Sequence, residues 1–136
     1  MSKSRIIIAG AALAAFTVLG GATAASAAVH NGTCESGELC GYNGTNKGGA
    51  MNDWTNSVDN TYNNDYLYLT NHDAYTTAHD TVTSVWNRRT PCYHLYKNTN
   101  QGGNVTSIGP GGASDSFKNL SSGFTNTLDS HASYSC

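Results

Sequence analysis

Charge is scarce in this chain, and positive charge scarcest. Asp, Glu, Lys and Arg make up 12% of its 136 residues, and two of the seven basic ones, Lys3 and Arg5, stand at the very start. The other five face nine acidic residues, a charge of about −4 with neutral histidine. Phosphate backbones and anionic membrane surfaces are bound by clustered Lys and Arg, so neither is an expected partner. Catalytic motifs are missing too. His30, His72, His79, His94 and His131 are scattered with no H-E-x-x-H pair, and there is no G-x-S-x-G or cysteine-nucleophile pattern. Asp73, His79 and Asp80 could meet in space, but a histidine near acids is ordinary in a polar loop, so an enzyme is not expected. Beyond the first residues no helical hydrophobic stripe occurs, which excludes a helix bundle.

The opening residues read as a leader. Lys3 and Arg5 precede an apolar run over 6–19, and Ala25-Ser26-Ala27 supplies small residues for signal peptidase. Cleavage after Ala27 or Ala28 is expected, making 1–27 a signal peptide and the protein secreted. The run is short, interrupted by glycine and followed by small residues, unlike a membrane anchor. About 108 residues remain, enough for one domain over 28–136 with one modest core, expected to be a monomer.

What the chain has in abundance is Asn, Thr, Ser, Gly and Tyr, the composition of a β protein rich in turns. Tyr42-Asn43-Gly44-Thr45-Asn46-Lys47-Gly48-Gly49 returns 54 positions later as Tyr96-Lys97-Asn98-Thr99-Asn100-Gln101-Gly102-Gly103. The shared Y-x-x-T-N-x-G-G pattern falls on residues that set backbone shape: an aromatic to bury, an Asn turn and glycines free to take positive φ. A second echo pairs Thr83-Ser84-Val85-Trp86-Asn87 with Ser121-Ser122-Gly123-Phe124-Thr125. Two units are expected, at about 38–87 and 92–126, the first carrying an insertion within 53–79.

Short strands are expected at 39–43, 49–52, 66–70, 82–86, 93–97, 104–108 and 120–124, with Tyr66, Tyr68 and Thr70 on one face and Leu67 and Leu69 on the other. Over 53–65 a helical turn or nothing regular is expected, and Pro110-Gly111-Gly112 is a loop. Trp54 and Trp86 are assigned to the core. All four cysteines follow the leader, and three pairings exist on paper. Cys34 and Cys40 bracket a turn around Gly37, which pairs them and leaves Cys92 with Cys136.

An aromatic-started glycine hairpin, a later hydroxyl-Ser step and the doubling of both resemble the βγ-crystallin fold, a double Greek-key sandwich. More narrowly, Cys34-Glu35-Ser36-Gly37-Glu38-Leu39-Cys40, Tyr42, Gly48-Gly49, Val82-Thr83-Ser84-Val85-Trp86-Asn87 and Leu95-Tyr96 resemble peptidase inhibitor family I36. These are small exported bacterial proteins of crystallin-like fold, named for a metalloproteinase inhibitor. The resemblance implies an all-β domain with two disulfides that binds a secreted protease. In crystallins a second aromatic follows the first by five residues; here Lys47 and Gln101 stand there.

An inhibitor offers a rigid extended segment to a protease cleft, so little entropy is lost on binding. Asn87, Arg88, Arg89, Thr90 and Pro91 are the candidate: they lie between the units, Pro91 fixes φ and pushes Thr90 towards extension, and Cys92 anchors the end. The segment through Tyr93 resembles the cysteine-closed reactive loop of the metalloproteinase-inhibiting member, with Asn87 where that loop has its upstream cysteine. The plain structural reading is a solvated linker with two exposed arginines. No cofactor is required, but calcium is a rival. The crystallin pattern N/D-N/D-x-x-S/T-S is approached by His79-Asp80-Thr81-Val82-Thr83-Ser84, giving Asp80, Thr83 and Ser84 as oxygen ligands for a hard cation. The second match, Phe117-Lys118-Asn119-Leu120-Ser121-Ser122, lacks the acids, and Lys118 would oppose a cation. A third reading places Tyr62, Tyr66, Tyr68 and Tyr75, with Asn63, Asn64 and Asn71, on a carbohydrate-binding surface; packing on the core is the structural alternative.

Overall fold

Alternating apolar and polar residues in short runs between turns give strands in pairs, and the repeat decides how the pairs close. A computed structural model describes residues 30–68 and 74–136. Among these residues ten strands form: β1 (Leu39–Tyr42), β2 (Met51–Trp54), β3 (Val58–Asp59), β4 (Tyr66–Tyr68), β5 (Ala74–Thr77), β6 (Ser84–Asn87), β7 (Cys92–Asn98), β8 (Gly102–Ile108), β9 (Phe117–Asn119) and β10 (Ser130–Tyr134). They make one sheet in the order β5-β4-β2-β1-β6-β9 and a second in the order β3-β10-β7-β8. Each unit is a four-strand Greek key: β1, β2, β3 and β6, then β7, β8, β9 and β10. The third strand of each leaves its own sheet. β3 pairs with β10, and β9 pairs with β6, so neither unit completes a sheet alone.

The repeated turns are superimposable in backbone terms. Asn46 and Lys47 take φ of 54° and 64°, and Asn100 and Gln101, 54 positions on, take 54° and 56°. Gly49 and Gly103 follow at 80° and 72°, a conformation that glycine alone takes without cost.

The second echo is corrected. Ser84 Oγ donates to Gly44 O at 2.6 Å and accepts from Lys47 N, while Ser130 Oγ donates to Asn98 O at 2.6 Å and accepts from Gln101 N. Gly44 and Asn98, like Lys47 and Gln101, are repeat equivalents, so the partner of Ser84 is Ser130. Ser122 is exposed in a turn over 121–126, and the strand expected at 120–124 lies earlier, at β9. The second unit accordingly runs to β10, past the expected end at 126. β10 escaped notice because its sequence, Ser-His-Ala-Ser-Tyr, carries no apolar alternation. The insertion is the hairpin β4–β5, which extends the first sheet beyond β2.

One core fills the space between the sheets. Leu39, Trp54, Tyr62, Leu67, Val82, Val85, Tyr93, Leu95, Ile108 and Leu128 are buried there. Gly41 is required by this packing, since a methyl group on it would sit 2.7 Å from the Trp54 ring. A smaller cluster of Cys34, Cys40, Tyr42 and Met51 lies on the outer face of the first sheet. Trp86 belongs to that outer cluster, half-buried, with Lys47 Nζ 4.0 Å and Arg88 4.8 Å from its ring, and not to the inner core. Both disulfides form as paired from the sequence, Cys34 with Cys40 and Cys92 with Cys136.

Candidate functional site

The link from β6 to β7 is short, and it is held down at every residue but one. Asn87, the last residue of β6, is fully buried. Its Nδ2 donates to Pro91 O at 2.7 Å and to Gly109 O at 2.8 Å, and its Oδ1 accepts from Arg89 N at 2.9 Å. Asn87 therefore closes the link from within and touches no partner, which corrects its place among the contact residues. Both arginines are spent on carbonyls. Arg88 Nη1 donates to Cys34 O at 2.5 Å, and Arg89 Nη1 donates to Thr55 O and, at 2.5 Å, to Asn56 O. Arg88 also pairs through its backbone with Gly37 and Glu38, and its charge opposes the burial that pushes the Glu38 carboxyl above its ordinary range. Thr90 alone of the link is exposed, with Pro91 half-buried beside it.

The loop after β8 packs against this link. Gly111 N donates to Arg89 O at 2.6 Å, and a Cβ on Gly111 would meet the Arg88 backbone at 2.7 Å. Thr90, Pro91, Pro110, Gly111, Tyr134 and Cys136 line an open groove of about 770 Å³. Sequence reasoning found Thr90 and Pro91 but missed the Pro110 loop and the end of β10, which come alongside because β8 and β10 flank β7, with Ile108 opposite Tyr93 and Tyr134 opposite Cys92.

The calcium candidates separate. Ser84 is fully buried and its hydroxyl serves the hairpin described above, so it leaves the ligand set. Thr83 Oγ1 donates to Asn126 Oδ1 at 3.1 Å. Asp80 and Asn126 occupy equivalent corners, each four residues before its serine, with φ of 52° and 55°. Asp80 N donates to Leu128 O and Asn126 N to Val82 O, a matched pair of bonds across the interface of the units. Asn43, Thr76, Asp80, Thr81 and Asn126 line one cleft of about 530 Å³. The second corner is thus Thr125-Asn126-Thr127-Leu128-Asp129-Ser130, and Lys118 is not in it; Lys118 Nζ bonds Thr106 Oγ1 and Ser107 O instead.

His79 lies between two carboxylates, Nδ1 at 2.6 Å from Asp129 Oδ1 and Nε2 at 3.3 Å from Asp80 Oδ2. His72 and Asp73 fall outside the described residues, as do Asn71 and the side chain of Tyr75. The tyrosine surface does not assemble among the described residues. Tyr62 is buried and stacks on Trp54 at 4.7 Å, Tyr68 stacks on His30, and Tyr66 is exposed. No helix among the described residues is long and apolar enough to cross a membrane; the expected signal peptide, 1–27, lies outside them.

Solved structures share this fold. A structure from work on the evolution of the eye lens βγ-crystallin domain fold matches with a TM-score of 0.55 at 16% identity, over 77% of this chain and 92% of that one. A βγ-crystallin domain from Clostridium beijerinckii matches at 0.51 and 17% identity, over 73% of this chain and 99% of that one. The N-terminal domain of Protein S matches at 0.50 and 13% identity, over 72% and 96%. No curated protein sequence matches the chain. The model of Peptidase inhibitor family I36 matches residues 27–108, more than half of the sequence, and the chain belongs to that family, carried on a βγ-crystallin fold.

Proposed function

We propose that the chain is an exported inhibitor of a secreted protease, of the metalloproteinase type, and that Thr90 and Pro91 are its point of contact. The observation that carries this reading is the closure of the link by Asn87. Where the metalloproteinase-inhibiting member has a cysteine that closes its reactive loop, this chain has an amide that bonds Pro91 O at 2.7 Å, next to Cys92. A segment fixed before binding gives up little entropy on binding. The arginines contribute by anchoring the segment, since their guanidinium groups are tied to backbone carbonyls. Titration against thermolysin-like and trypsin-like proteases tests the reading. Stoichiometric loss of activity for the thermolysin class is expected, weakened about tenfold by Thr90→Gly and Pro91→Gly without a change in fold. Full activity of both classes at micromolar protein retires it.

Calcium stabilisation is the second reading, favoured by the two equivalent corners that face one cleft. The side-chain oxygens there suit calcium in kind, but among the described residues Asp80 is the one carboxylate on the lining. Asp80 and Asn126, with Asn43, Thr76 and Thr81 around them, would hold the ion. A melting temperature raised by millimolar calcium and unchanged by it in Asp80→Ala supports the reading, and equal melting in calcium and chelator ends it.

A further inference from the structure

The two units differ in what lies beside their second strands. In the first unit Thr83 N donates to Tyr42 O at 2.7 Å, so Tyr42 faces β6 and its cross-strand neighbour Met51 turns its own N–H and C=O to the far side of β2. There Met51 pairs with Tyr68 of β4, the inserted hairpin. In the second unit Asp129 N donates to Tyr96 O at 2.9 Å, so Tyr96 faces β10 and its neighbour Val105 likewise turns its amide outward. Val105 is the residue 54 positions after Met51, and β8 is the edge of its sheet. Among the described residues no strand pairs with that edge. Val105 is 49% exposed and follows the exposed Gly103 and Asn104.

We propose that the open edge of β8 binds an extended polypeptide segment of a partner protein by antiparallel strand addition at Val105, as β2 takes β4 at Met51. An edge amide row supplies hydrogen bonds to any extended chain, and side chains of alternate residues set the preference. The chain's own duplicate shows which chemistry fits: β4 brings tyrosine opposite Met51 and leucine beside it. Lys118 bounds the surface at one end. Its Nζ donates to Ser107 O at 2.6 Å, taking the next outward carbonyl and limiting the length of edge on offer, in the manner of charged residues that guard sheet edges. This surface is separate from the Thr90–Pro91 segment, and its test does not involve protease inhibition.

The probe is a synthetic peptide copying residues 64–70, added to 15N-labelled protein recovered from an exporting host. Shifts confined to the β8 edge are expected, with hydrogen exchange at the Val105 amide slowed at least tenfold. Val105→Pro removes an N–H that the β7–β8 ladder does not use, so the fold is kept and binding is lost. An N-methylated peptide gives the same loss with the protein unaltered. Lys118→Ala frees Ser107 O and tightens binding several-fold. No shifts at millimolar peptide, shifts that map elsewhere, or equal binding by Val105→Pro overturns the proposal. So does a Val105 amide already protected in concentrated protein and released on dilution, which would make a second copy of the chain the occupant.

Discussion

Ser84 and Ser130 do the same work 46 positions apart: each buried hydroxyl bonds at 2.6 Å a carbonyl of the hairpin packed beside its strand and accepts an amide from that hairpin's turn. Each pins a turn whose two left-handed non-glycine residues would otherwise relax. Ser84→Ala and Ser130→Ala should cost similar amounts, about 1 to 3 kcal/mol, because each leaves a carbonyl and an amide unpaired. Ser122→Ala should stay within about 0.5 kcal/mol, as exposed sites do. Urea unfolding monitored by tryptophan fluorescence measures all three. Unequal losses at Ser84 and Ser130 would show that the two hairpins are not equivalent in energy.

The turns were legible because their chemistry is local. Asn46 and Asn100, and Gly49 and Gly103, carry positive φ at matched positions, and the residue types that tolerate it announce it. The fold class and both disulfides followed. The exchange of β3 and β9 between sheets is not legible, since strands of two and three residues are too short to show a period. Ser122 was mistaken for the second serine because Ser-Ser-Gly-Phe copies the order of Thr-Ser-Val-Trp, while the true copy, Asp129-Ser130-His131, puts an imidazole where a branched aliphatic stands. Its position between the two units puts Asn87 in the candidate loop on sequence alone; in the fold three backbone groups turn its amide inward.

Asn87→Ala should destabilise the protein by about 2 to 4 kcal/mol, since it leaves two carbonyls and one amide without their partner at a buried or partly buried position. Thr90→Ala, at the exposed apex of the same link, should cost less than about 0.5 kcal/mol. Hydrogen exchange gives the finer check. The Arg89 amide, bonded to Asn87 Oδ1, should exchange at least tenfold faster in Asn87→Ala, and an unchanged rate would mean the link is held by the arginines and the disulfide alone.

The two disulfides should differ in worth according to the loops they close. Cys92–Cys136 spans 44 positions and Cys34–Cys40 spans 6. On the chain-entropy relation the long bridge contributes about 4 kcal/mol and the short one about 2 kcal/mol. Paired Cys→Ala replacements followed by urea unfolding measure the difference. The short bridge also holds residues over the outer cluster of Tyr42 and Met51, so a loss well above 2 kcal/mol there would place its value in packing and not in loop closure.

Two groups, buried His131 and half-buried Asp65, pull the acid stability of this protein in opposite directions. His131 is enclosed by Trp54, Tyr62 and Tyr93, and burial lowers it to about 4. Its contribution is present above the unfolded value of about 6.5 and is lost as pH falls towards 4. Asp65, desolvated beneath the Trp54 Nε1–H it accepts at 2.5 Å, is raised to about 6. Its contribution is present below the unfolded value of about 3.9 and is lost as pH rises through 6. Asp65→Asn keeps an acceptor for Trp54 and removes the titration. The variant should match the parent near pH 4 and exceed it by about 1 to 2 kcal/mol at pH 7.5, a discount on the full shift because Asp65 is partly exposed. Once Asp65 no longer offsets it, His131 should make stability fall more steeply from pH 6.5 to 4 than in the parent. Urea unfolding at intervals across that range measures the difference, and a gap between the two proteins that does not change with pH would mean Asp65 titrates as a surface carboxylate.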